Sequence, residues 1–151
     1  METTKATIEI LNNLIQINND RIKGYERAIE ELKEKDADLR IIFSAMIDQS
    51  REAKMALGKE VQVLGADMDT GTTNSGKLYR VWMDVKAGFT GHTRHSVLAN
   101  CEFGEDAAQA AYKTAVAAEH LPAFLKELVA AQQQLLKSSH DEIKALRDRE
   151  A

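Results

Sequence analysis

Proline is almost missing from this sequence, with Pro122 as its only example. Proline removes a backbone donor and clashes inside a helix, so its scarcity, together with only 8 glycines, leaves room for long unbroken helices. Cysteine is equally scarce. The lone Cys101 excludes an intrachain disulfide framework and a cysteine-rich zinc site. Aromatic residues are 5% of the chain, so Leu, Ile, Val, Met and Ala must fill any core. Positive charge is not in excess: the net charge of -4 argues against a nucleic-acid reader, which would carry a basic face or stripe. No run approaches the ~20 apolar residues of a membrane span. Met1 to Ile8 lacks the basic-then-apolar pattern of a signal peptide, so the expectation is a cytoplasmic protein without nucleic acid or membrane as partner. The stretch Gly71 to Gly76 lacks the Gly-Lys-Ser/Thr ending of a phosphate-cradling loop, and neither a Ser-His-Asp order nor a Cys-His pairing is present.

What the chain does have is helical periodicity. Ile8, Leu11, Ile15, Ile22, Tyr25, Ile29 and Leu32 recur at 3–4 spacing and predict a first helix from Thr3 or Thr4 to about Lys35. Leu39, Ile42, Phe43, Met46, Ile47, Ala53, Leu57, Val61 and Leu64 predict a second, capped by Asp36 or Asp38 and ending near Gly65. A polar, turn-rich stretch follows, Gly65 to Gly91, long enough to run the length of a bundle. Within it Lys77 to Lys86 predicts a short helix, with Tyr79 and Trp82 placed to pin it or to anchor a partner. A third helix opens at His92 or Thr93, carries Val97, Leu98, Cys101, Ala108, Tyr112, Ala115 and Val116, and ends near Ala118 to His120. The fourth has Pro122 in its first turn and a stripe of Leu121, Phe124, Leu125, Leu128, Leu135, Ile143 and Leu146.

Helices of matched length, roughly 40–45 Å at ~1.5 Å per residue, favour one four-helix bundle over residues 1–151. Short corners make the first two antiparallel, and likewise the last two. The long crossover makes the second and third parallel. The predicted fold is therefore all-α, an up-down-down-up bundle of the ferritin-like kind.

Several polar residues interrupt the stripes. Asn18, Ser50, Glu105 and Gln132 fall near the middle of the four helices and predict a polar core layer, a known device for fixing helix register. Glu26, Gln49, Glu102 and His140 form a second set a turn or two away. Glu102 and Glu105 are one turn apart and share a face. They read either as hard oxygen ligands, suited to iron or manganese, or as a hydrogen-bonded interior carboxylate beside a solvated one. Glu26 and His140 are further candidate ligands, or simply flank residues. Cys101, on the apolar stripe, reads as a small hydrophobe.

Leu11 to Leu32, Leu78 to Lys86 and Asn100 to Tyr112 together resemble a bacterial family of small ferritin-like four-helix bundles catalogued as a domain of unknown function. The segments Asn18 to Glu26 and Cys101 to Asp106 carry most of that resemblance, which implies the fold and no established activity. Ferritin-like di-iron proteins place an inward Glu on each of two helices and Glu-x-x-His on each of the other two. Here neither the second nor the fourth helix has Glu-x-x-His, which argues against a dinuclear oxidase site. Two functions stay open. The first is a non-enzymatic bundle acting by self-association or protein interaction, with Leu14, Ile17, Val129 and Leu136 widening the stripes towards a homodimer face. The second is a degenerate metal binder using Glu26, Glu102, Glu105 and His140 with iron or manganese.

Overall fold

The computed structural model describes residues 2–71 and 93–150, so Tyr79, Trp82, His92 and the short helix expected over Lys77 to Lys86 lie outside the described residues. Four long helices account for most of the rest: α1 (Glu2–Glu30), α2 (Ala37–Val63), α3 (Arg94–Val116) and α4 (Ala123–Arg149). Cross-helix hydrogen bonds fix their directions. Asn18 and Arg21 of α1 meet Tyr112 and Glu105 of α3, so those helices are antiparallel. Gln132 and Ser139 of α4 reach Ala53 and Gln49 of α2, again with opposite polarity. The order is up-down-down-up, a ferritin-like bundle.

The helix ends have local causes. α1 stops at Glu30 rather than near Lys35, because its last turn tightens through bonds from Glu31 N–H to Ala28 O and Leu32 N–H to Ile29 O. Lys33 is then extended, and its N–H donates to the Asp36 carboxylate at 3.1 Å. α2 closes on Gly65 at φ 88°, with Gly65 N–H on Gln62 O and Ala66 N–H on Val61 O, the paired bonds of a Schellman ending that a glycine permits. Thr93 caps α3 by accepting from Ser96 N–H at 3.1 Å. Pro122 sits at the N-cap of α4, one residue before its first turn.

Burial corrects the reading of α4. Its inward line is Leu125, Val129, Gln132, Leu136, Ser139 and Ile143, a 4-3-4-3-4 spacing. Phe124 and Leu135 each precede a member of that line by one residue, about 100° of rotation, and are 60% and 56% exposed. Conversely Leu14, Ile17, Val129 and Leu136, expected to widen the stripes outward, are buried in this chain's own core.

The asparagines of α1 have a structural use. Asn12 accepts from Asp69 N–H at 2.9 Å, Gln16 donates to the Asp69 carboxylate, and Asn19 donates to Gly71 O at 2.8 Å. They follow i, i+4, i+7 spacing, so one face of α1 holds the first residues of the crossover. At one end of the bundle Arg94 binds Asp36 and Asp38 of the α1–α2 corner and Glu150 after α4.

Candidate metal centre

Helix α3 turns its carboxylates to two different sides. Glu105 points inward and is 1% exposed. Its two oxygens accept from Arg21, at 2.6 Å from Nε and 3.0 Å from one terminal nitrogen. Burial is the largest influence on the Arg21 pKa and would lower it, but the charge and hydrogen bonds of Glu105 together with Tyr25 and Tyr112 outweigh it, so the net shift is upward and the guanidinium stays ionised. Burial and the same carboxylate push the Tyr25 hydroxyl well up. Burial does likewise to the Cys101 thiol, which is fully enclosed and thus a packing residue.

A second interior chain runs alongside. Asn18 donates to Tyr112 at 2.8 Å, Tyr112 donates to Gln132 at 2.8 Å, and Gln132 donates to Ala53 O at 3.1 Å. Burial raises the Tyr112 hydroxyl to about 12, so it stays a donor at neutral pH.

Glu102 and Asp106 are four residues apart, so they share the edge of α3 that faces α4. There they meet His140, whose Nε2 lies 3.2 Å from Glu102 Oε1 and against Asp106 Oδ1. One atom from each of the three residues falls within 4.8 Å of the other two. The opposite ring nitrogen, Nδ1, lies 3.1 Å from Asp141 Oδ1. Burial acts to lower the His140 pKa, but its hydrogen bonds to Asp141 and Asp106 and the charges of Asp106 and Glu102 outweigh it, and the net shift is upward. The site is one where positive charge is favoured. Arg147 holds the other oxygen of Glu102 at 3.1 Å.

The structure thus divides the candidate ligands. Glu102 and His140 come together. Glu105 lies inward against Arg21. Glu26 is on the α1–α2 flank, half exposed and 3.9 Å from Arg51, so it joins neither group. Asn18, Ser50, Glu105 and Gln132 are all buried between the helices. Asp106, Arg21 and Tyr112 were missed as site residues. The signal for Asp106 was its i+4 spacing from Glu102. That for Arg21 was its position three residues after Asn18, on the same face.

The interior does not suit a dinuclear carboxylate centre. Its inward donors from α2 and α4 are Ser50, Gln132 and Ser139, all neutral, and both oxygens of Glu105 are committed to Arg21. The buried Asp20 is partnered and lies about 100° around α1 from Arg21.

Comparison with solved structures agrees with the fold. A mutant of Dps1 from Mycobacterium smegmatis superposes with a TM-score of 0.84 at 14% identity, covering 97% of each chain. A ferritin-like, diiron-carboxylate protein from Bacillus anthracis str. Ames does so with a TM-score of 0.69 at 16% identity, covering 99% of this chain and 97% of its own. Identities this low speak for fold alone. No curated protein matches the sequence. Residues 6–119 match a family described as a domain of unknown function, DUF2383, and the chain belongs to that family.

Proposed function

We propose that this ferritin-like bundle binds one divalent transition-metal cation, iron(II) or manganese(II), through Glu102, Asp106 and His140 at the α3–α4 edge. The supporting observation is the convergence of two carboxylate oxygens and an imidazole nitrogen within 4.8 Å. Mixed oxygen and imidazole donors suit these metals. Asp141 strengthens the reading, because a carboxylate on Nδ1 orients the ring so that Nε2 faces Glu102 and Asp106. Three protein ligands leave coordination positions for water or a small anion. This ligand set differs from the one expected from sequence, in that Asp106 enters while Glu26 and Glu105 drop out.

The test is elemental analysis of protein purified without a metal-affinity tag, before and after incubation with Fe(II), Mn(II) and Zn(II). About one metal per chain, lost in His140→Ala and in Glu102→Gln while the helical circular-dichroism signal persists, is the expected result. Metal-free wild type under every condition rejects the proposal.

A second reading, action by association, is favoured by one surface. Met55 and Leu135 are 59% and 56% exposed and line adjoining hollows between α2 and α4. Light scattering at micromolar concentration tests self-association, and particles of 16.8 kDa alone would reject it.

A further inference from the structure

Inward carboxylates in the ferritin-like pattern are neutralised by metal. In this bundle the inward carboxylate of α3, Glu105, is answered from its own chain. An arginine has five N–H donors in a fixed planar fork. All five of Arg21 have a place: Nε on Glu105 Oε1 at 2.6 Å, one terminal nitrogen on Ser50 Oγ at 2.8 Å and Met46 O at 3.2 Å, the other on Glu105 Oε2 at 3.0 Å and Met46 Sδ at 3.5 Å. The Tyr25 ring lies 5.3 Å from the guanidinium carbon and closes one face of it. Arg21 is 0% exposed, so these protein groups meet its donors away from bulk solvent.

A metal entering here would have to break a bidentate, charge-assisted pair. It would also leave a fully buried guanidinium without its counter-charge, which is more costly than the pair itself. The other partners of Arg21, Ser50 and Met46, offer no second carboxylate as compensation. We infer that Arg21 is the built-in counter-ion of the bundle interior, doing for Glu105 what metal does for inward carboxylates of the ferritin-like pattern, and that the interior is closed to divalent cations. Among the described residues, metal is thereby confined to the edge.

The inference stands apart from the proposed edge site, and one experiment separates them. The variant Glu102→Gln/His140→Ala is incubated with Fe(II) and Mn(II), desalted and assayed for metal. No retained metal is expected, whether wild type holds one equivalent or none. Metal that persists in this variant and is released by adding Glu105→Gln overturns the inference. Should the edge variant fail to fold, wild-type stoichiometry decides: more than one metal per chain overturns, one or none supports. Thermal melting then tests the counter-ion role. Arg21→Met alone should lower Tm by on the order of 10 °C, and Arg21→Met/Glu105→Leu should recover most of that loss. A single variant that melts with wild type, or a double variant that melts lower than the single, contradicts the role.

Discussion

Glu105 and its neighbours Glu102 and Asp106 sit within one turn of α3, yet they meet opposite fates. Glu105 is sealed in the core, and its positive partner is a covalent part of the chain, Arg21. Glu102 and Asp106 reach the edge, where their partners are an imidazole and an arginine that water also touches. Depth decides the difference. A buried carboxylate needs a permanent counter-charge, because its desolvation is otherwise uncompensated. An edge carboxylate is stabilised by solvent between partners, so it needs no fixed counter-charge. One helix therefore carries a fixed ion pair and the proposed cation site only about 60–100° of rotation apart.

The largest expected effect comes from unbalancing the buried pair. Glu105→Leu with Arg21 retained should lower unfolding stability by about 3–5 kcal/mol in urea denaturation, while leaving the edge geometry in place. A loss under about 1 kcal/mol would show that Arg21 finds water, and the contrast in depth would collapse.

The edge should behave in the reverse manner. His140→Ala removes a proposed ligand and should abolish stoichiometric metal, yet cost about 1 kcal/mol of stability or less, as partly exposed ion pairs do. Asp141→Asn should keep the ligands but weaken metal binding about 10–100-fold, because it loosens the orientation of the ring. Equilibrium metal titration against a chromophoric chelator reads both.

Between these extremes lies the neutral interior chain. Tyr112→Phe removes the hydroxyl that joins Asn18 to Gln132 and should cost about 1–2 kcal/mol, read from the urea midpoint at constant slope. A cost equal to that of Glu105→Leu would mean that charge is not what distinguishes the two interior groups.

The smallest effect belongs to the bundle end and to pH. Burial opposes ionisation of Asp36, but Arg94 and the Lys33 N–H outweigh it and hold the carboxyl below its ordinary 3.8. At Asp38 the Arg94 hydrogen bonds come first and act in the same direction. With folded values depressed, this stabilisation is complete above 3.8 and disappears as pH falls through the folded values. Arg94→Ala should therefore narrow the gap in urea midpoint between pH 7 and pH 3.

Much of the architecture was legible from local pattern. Helix number, approximate ends and the bundle order all follow from apolar spacing, one proline and one long polar stretch. Asn18, Ser50, Glu105 and Gln132 stood out because each breaks an apolar line. Arg21 did not stand out, since arginine on a helix normally reads as solvated. Asp106 stayed in the background for the same reason. Phe124 and Leu135 were misplaced because an apolar residue beside the stripe looks like one on it, and only packing against the rest of the bundle distinguishes them.

The sequence by itself determined that there are long amphipathic helices and roughly where each one's polar interruptions fall, because periodicity is a local property of the chain. Tertiary structure alone decided which interruptions share a partner. Arg21 and Glu105 are 84 residues apart, and His140 and Asp106 are 34 apart. Each residue turns a helix by about 100°, so a single step around α3 separates a carboxylate locked in the core from one exposed at the edge. That step is set by how four helices rotate to close their common core, which no single helix encodes.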